Sequence, residues 1–494
     1  MRDYYEPQLL PRLLACHEAE AAGEADACKK AFKPVRPLGE LNRVQPAVKI
    51  VGVRSSSTPD LALVEVEVGA VEDASQKNGK TRTDVYDLRL FRNGQLVGQW
   101  PEPQSSAAGP EDLTAWRAQA KVPMPTGKSK TVHTFEVRLA ARDKGQPVAF
   151  TAYAFNEDRV KSETASSDSY KVPQAIMPAK PRAYVIAVGV NAYENRTWDL
   201  NFAAKDAKDI SGALRQIRGY EVVPVTLLSD HAQTQTPALR QATKANIQGV
   251  LRLLAGEGES DRARLRQELG EQIDKIMKAT PDDLVVLAFS GHGYTDKQSR
   301  FYLLPSDSGT EKLSEATLAQ VAPKLVSSEE LSEALRQVDA GELVLIIDAC
   351  HSAASVETPG FKPGPMGDRG FGQLAYDKGM RILAATQASD VALESEKVGQ
   401  GLLTYALVQE GLRAKDGQSW KADADRDGSI TMAEWLSYGE KRVPGLYEDI
   451  RAGKVRSRDP LTADVLEKVT RQAQTPALFD FARQSSNATV LQGQ

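Results

Sequence analysis

The stretches LVLIIDACHSA (residues 343–353) and LVVLAFSGHGY (residues 284–294) decide the fold. Each begins with a continuous apolar run, LVLII or LVVLAF, which is the pattern of a strand covered by helices on both faces. A short polar motif, DACHSA or SGHG, follows each run directly. Because chemistry gathers at the carboxyl ends of the strands in an open parallel sheet, we expect Cys350 and His292 to converge on one crevice. A thiol and an imidazole held together form a nucleophile and its base.

The chain beyond residue 181 alternates predicted strands with predicted helices, which indicates a parallel α/β sheet. Strands are predicted at residues 184–190, 222–228, 284–289, 343–347 and 381–385. Helices are predicted at residues 202–218, 246–254, 262–279 and 328–338. Residues 352–378 are rich in Gly and Pro and show no periodic pattern.

The chain before residue 181 has a different pattern. Residues 1–46 are predicted to be a helical lead (residues 7–17 and 19–32) with a connector, and residues 173–181 a Pro-containing linker. Between them, residues 47–172 alternate apolar and polar positions, and Asn93-Gly94 is a hairpin signal because both residues tolerate positive φ. This pattern predicts a small all-β sandwich of the immunoglobulin-like type. The last segment, residues 446–494, is predicted to be a partly extended, poorly ordered extension.

Composition narrows the function classes. The 494 residues carry 62 basic and 66 acidic side chains, a net charge of −4, which argues against nucleic acid or an anionic membrane as the main partner. No apolar stretch reaches the roughly 18 residues that a membrane span needs. The polar N-terminus MRDYYEPQLL lacks an apolar signal core, so the predicted location is the cytoplasm. Cys16 and Cys28 are predicted to be reduced thiols, with a disulfide as the alternative in an oxidising compartment.

Several stretches resemble the caspase/metacaspase-like cysteine peptidases, and more closely the prokaryotic branch (orthocaspases) than animal caspases. The resemblance covers about residues 180–443, and it implies a caspase-like, mostly parallel sheet between helices. As in metacaspases, Asp348 stands two positions before the cysteine and His351 follows it. The histidine lies 58 residues before the cysteine, close to the roughly 50 typical of caspases. The matching stretches are AYVIAVGVNAYEN (183–195), LNFAAKDAKDI (200–210), LVVLAFSGHGY (284–294), FYLLPSD (301–307), LVLIIDACHSA (343–353) and GLLTYALVQEGL (401–412).

This resemblance implies that Cys350 is the nucleophile and His292 the acid–base group. It also implies that the backbone amides of Gly293 and Cys350 form the oxyanion hole. The structural alternative is that His292 caps a strand end and Cys350 is a buried small residue. Either polar motif alone would favour that alternative, whereas the presence of both motifs in this order favours a catalytic role. Ala353 stands where the family usually has glycine, which removes no catalytic group.

The resemblance further implies an acidic substrate pocket formed by Asp206, Ser290 and Asp348. Two buried carboxylates prefer a cationic partner, so the predicted substrate is a protein or peptide with Arg or Lys before the cleaved bond. Ser389 and Asp390 are predicted to line the neighbouring pocket. For Asp206 alone, the alternative is an ordinary solvated helix residue.

Three basic residues of the Gly/Pro-rich segment, Lys362, Arg369 and Lys378, are candidate self-cleavage sites. The bond between Arg369 and Gly370 is preferred, because glycine after it favours an extended chain. An uncut loop is the equal alternative.

The stretch DADRDGSITMAE (residues 423–434) fits the twelve-residue calcium template. The predicted Ca²⁺ ligands are Asp423, Asp425, Asp427, Ser429, Thr431 and Glu434, with Gly428 making the sharp turn. The alternative is an acidic turn before a helix at residues 431–443. Its upstream flank is a poor helix, which predicts a lone loop, and the resemblance implies that calcium activates the protease.

The sequence thus favours a cytoplasmic cysteine endopeptidase that depends on calcium. Synthesis as a self-processing zymogen is a further hypothesis, with the uncut loop as its equal alternative. The alternative is a non-enzymatic interaction protein in which the β-domain binds a protein partner and the α/β domain is an inert scaffold. A protease of the same clan with another specificity is a third hypothesis, and the acidic pocket distinguishes it.

Overall fold

The structure is a computed structural model that describes residues 9–28, 37–103, 113–177, 179–232, 238–296, 300–350, 369–385, 394–395, 399–452, 475–483 and 487–492. The chain divides into two compact units, one formed by residues 1–137 and 145–173 and the other by residues 138–144 and 174–494. The finer division into a lead, a linker and a C-terminal extension stays a prediction.

The first unit contains the predicted all-β region of antiparallel sheets, together with the helices Leu9–Ala21 and Leu113–Ala120. Sheet order is β1-β2-β5 in one sheet and β4-β3-β7-β8 in another, and β6 pairs with β9. Alternate residues of β2 are buried, which is the period of a strand with one face on a core. The immunoglobulin-like topology stays a prediction. The strands are β1 (Ala47–Ser55), β2 (Leu61–Gly69), β3 (Tyr86–Arg92), β4 (Gln95–Trp100), β5 (Lys130–Arg138), β6 (Pro147–Val148), β7 (Phe150–Phe155), β8 (Ala165–Ser166) and β9 (Tyr170–Lys171).

Asn93 and Gly94 form the turn between β3 and β4, with φ of 48° and 81°. Two consecutive positive φ values match the right-handed twist of a two-residue hairpin, and this pair of residues tolerates them. The hairpin prediction is therefore confirmed.

A second turn of this unit is held by the fully buried Asn156. Its Nδ2 donates to the carbonyls of Asn42 (2.7 Å) and Val44 (3.0 Å). Its Oδ1 accepts from the amides of Asp158 and Val160, both at 2.9 Å. All four hydrogen bonds of one buried amide are thus satisfied within the protein, so Asn156 fastens the N-terminal connector to the end of β7.

The second unit contains a mainly parallel sheet of order β12-β11-β10-β13-β16-β17-β23, which confirms the predicted sheet class. The pairs β10–β11, β10–β13, β13–β16 and β16–β17 are parallel, and the end strands β12 and β23 are antiparallel to their neighbours. Each predicted strand is present, and β13 and β16 extend into the polar motifs that follow their apolar runs. The strands of this sheet are β10 (Arg182–Val190), β11 (Glu221–Asp230), β12 (Leu239–Arg240), β13 (Leu284–Thr295), β16 (Glu342–Cys350), β17 (Arg381–Ala384) and β23 (Ala477–Asp480).

Shorter strands lie beside this sheet. β14 pairs with both β13 and β15, β18 pairs with β19, β20 with β21 and β22 with β24. Their bounds are β14 (Phe301–Leu303), β15 (Val326–Ser327), β18 (Glu394–Ser395), β19 (Gln400–Gly401), β20 (Lys415–Asp416), β21 (Ser419–Trp420), β22 (Ser429–Thr431) and β24 (Thr489–Gln492).

Helices follow the strands much as predicted, with two early endings. The predicted helix at residues 202–218 stops at Ala213 and is followed by a 3-10 turn over Leu214–Gln216. The predicted helix at residues 262–279 stops at Leu269, because Gly270 has a φ of 79° and a 3-10 turn follows. The helix beginning at Leu402 continues over Tyr405–Leu412 in the wider π form. The α-helices are Leu9–Ala21, Leu113–Ala120, Ala203–Ala213, Lys244–Ala255, Arg262–Leu269, Leu318–Val321, Ser328–Gln337, Arg369–Lys378, Leu402–Thr404 and Met432–Arg451.

The helix Ala203–Ala213 lies very close to β10. A Cβ on Gly189 would be 2.5 Å from the carbonyl oxygen of Ala203 and 2.9 Å from the Cβ of Ala207. Only glycine fits this approach, because real Cβ contacts are essentially never shorter than 3.0 Å. The close packing brings Asp206, in the first turn of this helix, to the carboxyl edge of the sheet.

Two segments expected to lack structure are ordered. Residues 369–378, predicted to have no pattern, form the helix Arg369–Lys378, whose Phe371, Leu374 and Ala375 are buried. The predicted poorly ordered extension contributes β23 and β24 and the end of the helix Met432–Arg451.

Buried polar contacts fix this C-terminal segment. Arg381 of β17 bonds Glu342 of β16 and, at 3.1 Å, Asp480 of β23. The amide of Ala488 also donates to Glu342, at 3.0 Å. Such long-range contacts leave no periodic mark in the sequence, so the sequence alone predicts only a partly extended, poorly ordered extension.

The N-terminal lead also differs from the prediction. The first helix, Leu9–Ala21, runs past the predicted break at residue 18; Ala27 and Cys28 are again helical, and residues 29–36 lie outside the described residues. Cys16 and Cys28 are joined in a disulfide, so the prediction of two reduced thiols is wrong. In the described part of the chain, none of the helices combines the length and the apolar character that crossing a membrane requires.

Candidate active site and candidate calcium loop

The polar motifs SGHG and DACHSA lie next to each other on the adjacent strands β13 and β16. In the parallel ladder between β13 and β16, Ser290 is opposite Asp348 and His292 is opposite Cys350. The backbone of Cys350 is described and its side chain is not, so the register locates the thiol by its Cα alone. The histidine and cysteine predicted to act together thus leave neighbouring strands at the same level of the sheet.

His292 is almost fully buried, and one hydrogen bond holds its ring while another holds its backbone. Its Nε2 lies 2.7 Å from the carbonyl oxygen of Trp198, and its backbone amide donates to the Tyr193 hydroxyl at 2.8 Å. The ring centroids of Tyr193 and His292 are 5.1 Å apart. Because a carbonyl oxygen only accepts, Nε2 carries the proton, and in a neutral imidazole Nδ1 is then the basic nitrogen.

Burial lowers the pKa of His292 from 6.5 to about 4, although the hydrogen bond to Trp198 and the charge of Asp199 both act to raise it. The imidazole is therefore neutral at physiological pH, which is the form that can accept a proton.

Gly293 follows His292 on β13 and pairs with Leu303 of β14. A Cβ at Gly293 would lie 3.0 Å from the ring of Phe301, so a larger residue would have to displace that ring. The two amides predicted for the oxyanion hole, those of Gly293 and Cys350, belong to the adjacent ends of β13 and β16.

The predicted acidic pocket has two buried carboxylates, those of Asp206 and Asp348. Both Oδ2 atoms lie 2.8 Å from one point, the position that a Cβ on Gly401 would occupy. The amide of Gly401 donates to Oδ2 (3.0 Å) and Oδ1 (3.2 Å) of Asp206, and the Thr404 hydroxyl donates to Asp348 at 3.4 Å. Ser290 is also buried, next to Asp348 in the ladder. Asp206 is therefore not the solvated helix residue of the alternative hypothesis.

The remaining predicted residues are distributed differently. Ser389, Asp390 and Lys362 lie outside the described residues. Arg369 begins the helix Arg369–Lys378, and its backbone is described without its side chain. Lys378 ends that helix, is 3% exposed, and donates from Nζ to the carbonyl of Val338 at 3.0 Å. In the folded protein Lys378 is thus inaccessible to a protease, and of the three candidates it is disfavoured by its burial.

The predicted calcium loop is folded as an acidic turn. Oxygen atoms of Asp423, Asp425 and Glu434 all lie within 4.8 Å of one another. Gly428 has a φ of 86°, and its amide donates to Asp423 Oδ2 at 3.1 Å. The buried Oδ1 of Asp423 has no hydrogen-bond partner among the described residues. Hard oxygen donors around an unsatisfied buried carboxylate oxygen fit a Ca²⁺ ion.

Other predicted ligands of this loop take part in local hydrogen bonds. Asp427 Oδ1 accepts from the amide of Ser429 at 2.7 Å. Thr431 caps the helix Met432–Arg451, with its side chain accepting from the amide of Glu434 at 3.3 Å and Glu434 Oε2 accepting from Thr431. The loop strand β22 pairs with β24 at Ile430 and Leu491. The prediction of a lone loop rests on the poor helix before it. The strand that pairs with the loop, β24, is an ordinary strand.

Sequence patterns missed four residues of the candidate site: Tyr193, Trp198, Gly401 and Thr404. Trp198 acts through its carbonyl, which every residue type offers, so no signal could have identified it. Gly401 and Thr404 lie in the stretch GLLTYALVQEGL, which resembles the family, although no role could be given to them without the fold.

Residues 182–425 match the family model described as the caspase domain. No curated protein matches the chain. A caspase-1 crystal structure from Spodoptera frugiperda is 12% identical, with a TM-score of 0.30, and the alignment covers 61% of this chain and 90% of that one. An exopolygalacturonase of family 28 from Yersinia enterocolitica is 11% identical, with a TM-score of 0.14, over 62% of this chain and 53% of that one.

TM-scores this low establish no shared architecture, so the assignment follows from the family match and from the sheet. The family match supports a cysteine peptidase as the class of protein. More specifically, residues 182–425 of this chain are a caspase-like domain.

Proposed function

We propose that this chain is a cysteine endopeptidase that hydrolyses peptide bonds after Arg or Lys. The observation that carries the proposal is the ladder between β13 and β16, which pairs His292 with Cys350 and sets Asp348 two residues before the cysteine. The convergence of Asp206 and Asp348 supports a cationic substrate side chain, because two buried carboxylates are stabilised by an opposite charge.

The proposed reaction begins when the sulfur of Cys350 attacks the scissile carbonyl carbon and its proton passes to Nδ1 of His292. Backbone amides of Gly293 and Cys350 donate to the developing oxyanion. The imidazolium then gives its proton to the leaving amine, the C–N bond breaks, and a thioester remains. Water attacks the thioester and passes a proton to His292. The carboxylate product leaves and the thiol is restored.

Fluorogenic peptides that end in Arg, Lys, Asp or Leu test this specificity. We expect cleavage after Arg and Lys, and loss of cleavage in Cys350→Ala and His292→Ala. Asp206→Asn should raise KM for the basic peptides by about tenfold or more, because the pocket loses one charge. Cleavage after Asp or Leu instead would overturn the specificity. A wild-type chain that cleaves no peptide would favour the interaction-protein alternative, with the β-domain binding the partner.

We further propose that the loop at residues 423–434 binds Ca²⁺ and that the ion activates the peptidase. Asp423, Asp425 and Glu434 would supply carboxylate oxygens, and the unsatisfied Oδ1 of Asp423 supports this assignment. A bound ion would neutralise the repulsion between these carboxylates.

Calorimetric titration with Ca²⁺ tests the site, and peptide cleavage with calcium or a chelator tests the activation. The double variant Asp423→Ala, Glu434→Gln should bind no calcium and lose the activation. Glu257→Gln is a matched control, because Glu257 is an exposed acidic residue outside the loop. Unchanged affinity in the double variant would refute the site.

Self-processing is proposed at Arg369-Gly370 or after Lys362. Mass spectrometry of the wild type beside Cys350→Ala tests it, and cleavage should appear in the wild type alone. An intact wild-type chain under conditions that activate cleavage of peptides would exclude it.

A further inference from the structure

We propose that residues 401–404 are a specificity-determining element of the acidic pocket. The missing side chain of Gly401 lets Asp206 and Asp348 pack against its backbone and approach each other, and Gly401 and Thr404 hold the two carboxylates in place. The inference rests on the proposed function, since it concerns the pocket that would accept the substrate's basic side chain.

The geometry at Gly401 shows how little space a side chain would have. A Cβ there would lie 2.8 Å from an oxygen of Asp206 and 2.8 Å from an oxygen of Asp348. Both distances are below the shortest contacts that real Cβ atoms make. An alanine methyl group would therefore occupy the region where the two carboxylates meet, or it would push them apart.

The backbone at this position does not itself require glycine. Gly401 has φ −62° and ψ 144°, a conformation open to every residue type. Its neighbour Gly399 differs, because its φ of 62° is left-handed. Space beside the carboxylates is thus the physical reason for glycine at position 401.

The same short segment holds both carboxylates. The Gly401 amide donates to both oxygens of Asp206, at 3.0 and 3.2 Å, and the hydroxyl of Thr404 donates to Asp348 at 3.4 Å. Thr404 and both acids are buried, so these hydrogen bonds act in a low-dielectric environment where orientation counts. A cation that binds these acids then meets two carboxylates whose positions are already fixed by one short segment.

The test compares Gly401→Ala with the wild type and with Gly212→Ala. Gly212 is a matched control because it lies in the helix that carries Asp206, and a Cβ there would meet nothing within 4 Å. Fluorescence titration with p-aminobenzamidine, a small aromatic cation, reports pocket binding without any catalysis. KM and kcat for Arg and Lys peptides are measured in parallel, and the alkylation rate of Cys350 by iodoacetamide reports the dyad.

For Gly401→Ala we expect about tenfold weaker p-aminobenzamidine binding and a similar rise in KM, with kcat and the alkylation rate changed less than about twofold. Gly212→Ala should match the wild type. Thr404→Val, which keeps the shape and removes the hydroxyl, should weaken binding severalfold and should be restored by Thr404→Ser. It serves as the second variant if Gly401→Ala does not fold.

Binding of p-aminobenzamidine within about twofold of the wild type in both variants would overturn the inference. It would also be overturned if the wild type bound no cation. If the wild type binds the cation and both variants weaken it, while no peptide is cleaved, the inference stands and the proposed peptidase activity fails.

Discussion

His292 shows how one buried side chain is prepared for proton transfer. Its Nε2–H donates to the carbonyl of Trp198, so the second nitrogen keeps its lone pair, and burial keeps the ring neutral. The position of His292 beside Cys350 was predictable from two apolar runs that are each followed directly by a polar motif. The partners Tyr193 and Trp198 were not, since a backbone carbonyl and a distant hydroxyl carry no mark in the sequence.

The depressed pKa of His292 predicts a pH-dependent stability. Above about pH 6.5 the ring is neutral in the folded and unfolded states, whereas between about pH 6.5 and 4 only the unfolded chain binds the proton. The free energy of unfolding should therefore fall by about 3 kcal/mol as the pH drops through this window. Urea denaturation at several pH values measures it. The variant His292→Gln should lack this component, and an equal pH slope in both proteins would contradict the prediction.

Tyr193→Phe should lower kcat and leave KM nearly unchanged. The substitution leaves the buried amide of His292 without its acceptor, which costs about 1–3 kcal/mol and loosens the backbone that carries the imidazole. Steady-state kinetics on a basic peptide, with thermal unfolding in parallel, provide the measurement. Tyr376→Phe is the control, because Tyr376 is 53% exposed. Equal kcat in the wild type and Tyr193→Phe would show that the contact has no positioning role.

Elements of the second unit were predictable where their periodicity is strong. Every central strand was foreseen because a strand buried on both faces needs a continuous apolar run. The helix Arg369–Lys378 was missed although Phe371, Leu374 and Ala375 have helical spacing, because Gly370 and Gly372 beside them indicated a loop. β23 and β24 were missed because strands of four residues are shorter than any reliable pattern.

Removal of calcium should loosen β24 more than the central sheet. β22 belongs to the candidate calcium loop, and its ladder with β24 joins Ile430 to Leu491. Hydrogen exchange of residues 489–492 should accelerate on chelation, since the ion stabilises the loop by about 2.7 kcal/mol at a free concentration one hundred times Kd.

The double variant Asp423→Ala, Glu434→Gln should exchange as fast as the chelated wild type, whatever the calcium concentration. Amides of β10 and β13 are the internal reference, because these strands are fully buried. Equal protection of residues 489–492 from hydrogen exchange with and without calcium would show that the loop does not stabilise β24.

The whole molecule carries one disulfide among its described residues, and it bears on the compartment. Disulfides persist in oxidising environments, whereas the predicted location is the cytoplasm, and the compartment stays a prediction. Sequence spacing could not decide between thiols and a bridge, because two cysteines twelve residues apart are compatible with both.

Thiol counting tests the bridge. Denatured, unreduced protein prepared by secretion should show one reactive thiol per chain, and reduced protein should show all three cysteines. Cys16→Ala should raise the unreduced count by one, because Cys28 then has no partner. Three thiols in the unreduced wild type would mean that the bridge does not form.

The pairing of β22 with β24 has a consequence for how the protein would sense calcium. In paired calcium loops, the shared ladder lets occupancy of one site assist the other. Here the ladder partner is a plain strand, and of the described residues none on β24 belongs to a candidate metal cluster. The activity of a protein that senses calcium through this loop would therefore rise gradually with the calcium concentration. One ion would bind per chain, with a Hill coefficient of about one and no sharp threshold.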